Sequence, residues 1–104
     1  MGQYRLTHAA EGDVQQILEY TLERWGPKQV GIYASKLDTC FEELGAFAAL
    51  SKPWPGDPEL RVTTCGRHYV FYLQGDPNVI VAVLHEKEDC VERVKHRLPP
   101  IGNE

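Results

Sequence analysis

Five side chains could together handle a phosphodiester: Arg61, Arg67, His68, His85 and Lys87. Cleavage of RNA through its 2′-hydroxyl needs a base for that proton, cations for the charge growing on phosphorus, and an acid for the leaving oxygen. The arginines and the lysine could supply the cations, and either histidine the acid or the base. Each also has a plainer reading. His85 closes the apolar run Val79-Ile80-Val81-Ala82-Val83-Leu84, where a polar side chain commonly bonds a nearby backbone group and secures the strand end. Arg67 and His68 follow Gly66 at a turn, a place where solvated charges need no function.

A second set is purely cationic. Lys87, Arg93, Lys95 and Arg97 crowd the end of a chain that holds 15 acidic and 11 basic residues, for a net charge of −4. An acidic balance argues against a general nucleic-acid binder and against direct sequence-specific binding. A cationic tip on an acidic body suits an acidic or DNA-associated partner. The plainer reading is that these cations face the negative end of a final helix.

Cys40, Cys65 and Cys90 are an odd number with no close pair, which reads as reduced thiols rather than a disulfide framework. The four histidines show no HxH or HxxxH spacing, so no metal site is expected. No apolar run approaches the ~20 residues of a membrane helix, and the cytoplasm is the expected compartment.

The elements that must position these groups can be read from periodicity. At 104 residues the chain forms one domain, 1–104. Tyr4-Arg5-Leu6-Thr7 reads as a short strand. Ala10, Val14, Ile17, Leu18, Thr21, Leu22 and Trp25 then recur at helical spacing from His8 to Trp25, with Thr7 as N-cap and Asp13 facing the positive end of the dipole. Gly26-Pro27 ends this helix and opens another, reaching Ala48 or Ala49, whose stripe is Val30, Tyr33, Leu37, Phe41, Leu44 and Ala48. Trp25 and Trp54 read as packing anchors.

Three prolines and a glycine make 51–58 an irregular loop. Leu60–Thr64, Arg67–Leu73 and Val79–Leu84 read as successive strands, the last two as a hairpin across Gln74-Gly75-Asp76-Pro77-Asn78. On the middle strand Tyr69, Phe71 and Leu73 alternate with His68, Val70 and Tyr72, so both faces need cover. Val79–Leu84, apolar throughout, fits a strand buried on both faces. Asp89 with Glu92 opens a short helix from Cys90 to Leu98. The expected class is α+β, ordered β-α-α-β-β-β-α, with a helical hairpin packed on a small antiparallel sheet.

That order, with Ala9-Ala10 followed by Asp13, Ile17 and Tyr20, then Arg24-Trp25-Gly26, Gly66-Arg67-His68-Tyr69-Val70-Phe71-Tyr72 and Val83-Leu84-His85-Glu86, resembles the ParE branch of the RelE/ParE toxin superfamily. The resemblance spans Tyr4 to about Arg97. It implies the toxin of a type II toxin–antitoxin module, active in plasmid stabilisation, that inhibits DNA gyrase by protein–protein contact and has no chemistry of its own. It implies no cofactor, and two partners: gyrase and a small ParD-like antitoxin. Lys87, Arg93, Lys95 and Arg97 are the expected target-facing residues. Leu18, Leu22, Tyr69, Phe71 and Tyr72 are the expected antitoxin-binding residues. The RelE branch instead cleaves mRNA on the ribosome, typically with a tyrosine near the C-terminal end of the sheet. Here no tyrosine follows Tyr72, which ranks the ribonuclease second and a non-toxic antitoxin-binding module third.

Overall fold

The computed structural model describes residues 4–44, 52–54, 57–87, 90 and 94, with Asp57 and Pro58 described by their backbone alone. Strand β1 (Tyr4–Leu6) leads into α1 (His8–Trp25) and α2 (Pro27–Glu42). Four strands follow: β2 (Lys52–Trp54), β3 (Asp57–Cys65), β4 (His68–Leu73) and β5 (Asn78–His85). They form a single sheet in the order β1-β5-β4-β3-β2. The α+β class and the helical hairpin lying on the sheet are as expected.

The sheet differs from the expected one in two ways. It is mixed, because β1 pairs parallel with β5, Tyr4 opposite Asn78 and Leu6 opposite Ile80. Only folding brings those distant segments together. It also has an extra strand within the expected loop, β2, which pairs antiparallel with β3. Pro53 is tolerated there because β2 is an edge strand, and an edge needs backbone donors on one side only.

Local signals set the helix ends. The Thr7 hydroxyl accepts the Ala10 amide at 3.1 Å, the expected N-cap. Gly26, at φ +90°, takes the conformation that separates α1 from α2, and Pro27 occupies the first turn of α2. Helix α2 stops at Glu42, short of the expected Ala48. The Leu44 amide donates to the Phe41 carbonyl oxygen at 3.3 Å in a tightened last turn, and Gly45, a poor helix residue, comes next in the sequence. Residues 45–51 lie outside the described residues, as do Asp89, Glu92 and most of the expected final helix; Cys90 and Val94 are helical.

Side chains on the two sheet faces build two cores. Facing the helices, Val70, Tyr72, Ile80, Val83 and Cys65 pack with Ala10, Leu37, Phe41 and Leu44. On the opposite face, Leu60, Phe71, Val81, Ala82 and Leu84 pack with Val94, against Trp54, Tyr69 and Leu73. Val81 and Ala82 share one face because the ladder shifts register there: Phe71 faces Ala82 and Tyr72 faces Ile80. Strand β5, between β1 and β4, is buried from Ile80 to Leu84.

Asp13 does not serve the helix dipole alone. It is buried, and its carboxylate accepts the Val83 amide at 2.9 Å, on β5, which β1 accompanies only as far as Ile80. Asp13→Ala would leave a buried donor without this acceptor, and should lower unfolding stability by about 1–3 kcal/mol. Asp13→Asn, which keeps an acceptor oxygen, should lose much less. Urea unfolding of both variants checks this, and equal losses would contradict it.

The cysteines are a correction. Cys40 and Cys65 form a disulfide, their Cα atoms 6.2 Å apart; Cys90 is not part of it, and its thiol donates to His85 O at 3.9 Å. A separation of 25 residues gives no hint of pairing; packing α2 over the end of β3 brings the sulfurs together.

Candidate functional site

A groove of roughly 800 Å³ runs between the helical hairpin and the sheet end where β4 begins and β5 finishes. One wall is apolar and belongs to the helices: Ile17, Tyr20, Trp25 and Ile32. Of these, Tyr20, Trp25 and Ile32 are exposed, Trp25 by 67%. Trp25 is therefore not the buried anchor expected of it. It is the last residue of α1, ahead of Gly26, and lines the groove instead. Trp54 does anchor packing, edge-on to Phe71 with ring centroids 5.0 Å apart.

The other end of the groove is cationic. The turn after β3 sets Gly66 at φ +63°, and the Lys36 and Tyr33 side chains descend from α2 onto it. A Cβ at Gly66 would lie 3.2 Å from Lys36 Nζ and 3.4 Å from Tyr33 Oη. Tyr33 Oη hydrogen-bonds His68 Nδ1. His68 meets His85 edge to face, their ring centroids 5.2 Å apart, as the cross-strand register of β4 and β5 demands. His85 Nδ1 accepts the Lys87 amide at 3.1 Å, which leaves Nε2 to carry the proton of a neutral ring. The expected tie between His85 and a neighbouring backbone group is thus present. Arg67 pairs with Glu86 at 3.7 Å, an exposed contact of little energetic weight.

Burial raises the Tyr33 phenol above its ordinary value of 10.0. At neutral pH it remains an O–H donor, and His68 Nδ1 can accept from it. A raised phenol favours folding below the unfolded value, and this advantage is lost as pH climbs through the folded one. Tyr4 shifts the same way, first through burial, then through Asp38 and Glu42. Tyr33→Phe should flatten the alkaline fall in stability without abolishing it. Melting temperatures from about pH 9 to 11, around the ordinary phenol value, check this; an unchanged slope would contradict it.

Of the five residues first considered for RNA chemistry, the fold brings Arg67, His68, His85 and Lys87 to one end of the groove. Arg61 is apart from them: it sits four residues before Cys65 on β3, opposite Tyr72, and does not line the groove. Lys87 is the described member of the basic set; Arg93, Lys95 and Arg97 lie outside the described residues. Among the expected antitoxin contacts, Leu22 is exposed and Leu18 half-buried, both along a second, shallower groove with Val14 and Val30. Tyr69 is half-buried. Phe71 and Tyr72 are 0% and 1% exposed, one in each core, so neither offers a surface. Sequence reasoning missed Tyr33 and Lys36 as site residues. Their three-residue spacing puts them on one helix face, but Tyr33 also fits the core stripe and was read only as that.

Among the described residues, no three histidine, cysteine, aspartate or glutamate side chains are grouped to hold a metal ion. No described helix is long and apolar enough to cross a membrane.

The fold matches a solved structure titled "Chromosomal ParDE TA system from P. aeruginosa", with a TM-score of 0.69 and 17% identity over 82% of this chain and 96% of that one. Residues 4–90 match the family described as "ParE toxin of type II toxin-antitoxin system, parDE". "Toxin ParE" of Escherichia coli is 39% identical over 104 residues, covering 94% of this chain and 98% of the relative. "Toxin ParE1" of Caulobacter vibrioides is 33% identical over 90 residues, covering 83% and 91%. The chain belongs to the ParE family of type II toxin–antitoxin toxins.

Proposed function

We propose that this chain inhibits DNA gyrase in the cytoplasm by protein–protein contact, holding the topoisomerase with its DNA cleaved, and that a small ParD-like antitoxin neutralises it. The observation that supports a binding role most directly is the groove, whose exposed Tyr20, Trp25 and Ile32 lead to a cationic end at Lys36, Arg67 and Lys87. Exposed apolar residues beside a charged rim are what protein partners cover. The antitoxin would cover the helical side, including Leu18 and Leu22. The basic end, with Lys87 and the following Arg93, Lys95 and Arg97, would face gyrase.

Supercoiling reactions with purified protein are the test. Added to gyrase, plasmid and ATP, the toxin should cause linear, protein-linked DNA to accumulate, and prior addition of antitoxin should prevent this. Induced cells should filament while translation initially continues. Unchanged supercoiling, with no linear product at excess toxin, would overturn the proposal.

One observation favours a second reading, ribosome-dependent mRNA cleavage: Tyr33, His68 and His85 form a contiguous acid–base cluster among cations. Rapid mRNA loss on induction, abolished by His85→Ala or Arg67→Ala, would support it instead.

A further inference from the structure

We propose that Cys40 and Cys65 are a reversible thiol–disulfide site whose oxidation fixes α2 over the cationic end of the groove. The bond joins the two parts that build that end. Cys65 directly precedes Gly66, Arg67 and His68. Cys40 lies four residues beyond Lys36 and seven beyond Tyr33, hence on the same face of α2. Those two side chains meet the Gly66 turn. Leu37 and Phe41 of α2 pack into the core beside Cys65, and the bond adds a covalent tie to that packing at the end of α2 nearest the groove's cationic end.

The two sulfurs differ in access. Cys65 is 2% exposed, whereas Cys40 is half-buried and is the one a small thiol or disulfide can reach. With glutathione disulfide as oxidant, the Cys40 thiolate attacks one of its sulfurs and expels a glutathione thiolate, leaving a mixed disulfide. The Cys65 thiolate then attacks the Cys40 sulfur and expels the second glutathione. Two protein thiols are oxidised, one glutathione disulfide is reduced to two thiols, and the two protein protons pass to the released thiolates. Excess glutathione reverses both steps. Cys90 packs with the core on the other face of the sheet, away from this pair. None of this depends on which target the toxin has.

The test uses the purified full-length chain, equilibrated in glutathione buffers from reducing to oxidising, then quenched, unfolded and alkylated. Mass spectrometry should count three modified cysteines at the reducing limit and one, Cys90, at the oxidising limit, with a peptide linking Cys40 to Cys65. The oxidised form should melt higher by on the order of 10 °C. Cys40→Ser with Cys65→Ser should remove that redox difference, and Cys90→Ser should keep it. On reduction, amide hydrogen exchange should quicken several-fold from Tyr33 to Glu42 and stay unchanged in β5. Three free thiols throughout, a bond involving Cys90, or equal exchange of α2 in both states would overturn the proposal. If the double variant fails to fold, the wild-type mass and exchange measurements still decide.

Discussion

Cells expressing the chain with Arg93→Glu, Lys95→Glu and Arg97→Glu together are expected to survive induction that kills cells expressing the parent. A solvent-exposed charge generally contributes only ~0–1 kcal/mol to stability, and circular dichroism of the triple variant should show a folded chain. At an interface the same reversals convert attraction into repulsion, and three of them should weaken target association by about a hundredfold or more. Lys87, which begins the basic segment, lines the same groove end as Arg67 and His68, and Lys87→Glu should show a smaller loss in the same direction. Antitoxin binding should persist, since that surface is assigned to the helices. Viability counts, gyrase cleavage and antitoxin pull-down separate the possibilities. A triple variant that folds, binds antitoxin and still kills would move the active surface to Gly66-Arg67-His68.

Phe71→Ala should be among the most damaging single truncations on the sheet. Phe71 is completely buried, with Trp54 edge-on to its ring at 5.0 Å and the Tyr69 ring centroid 6.4 Å away. Removing a buried aromatic ring commonly costs ~3–5 kcal/mol, a large part of what a domain this small possesses. Tyr69→Ala, on the same face but half-buried, should cost distinctly less. Chemical unfolding monitored by circular dichroism measures both. A Phe71→Ala chain that unfolds like the parent yet no longer binds antitoxin would restore Phe71 as a contact residue and refute its role in the core.

Much of the fold was legible because it is written in local chemistry. Thr7 caps α1, Gly26-Pro27 divides the helices, and the unbroken apolar run in β5 marks a strand covered on both faces. These depend on neighbours within a few residues, so a linear sequence displays them. The overall order of elements and the quoted motifs were also sufficient to recognise the ParE branch. What the sequence could not display were pairings between distant segments. The parallel join of β1 to β5, the added edge strand β2, and the turn of Asp13 towards Val83 exist only once the chain closes on itself.

The candidate site divides along the same line. Sequence alone marked Arg67, His68, His85 and Lys87 as residues able to handle charge, but their spacing carried no geometry. Cross-strand register set the two imidazoles against each other, and the seat of α2 above Gly66 added Tyr33 and Lys36. The same seat joined Cys40 to Cys65, whose separation suggested only reduced thiols. Residue chemistry is a property of position in the chain; proximity, burial and exposed surface are properties of packing. That is why Phe71 passed from expected contact to core, while Trp25 passed from expected anchor to groove wall.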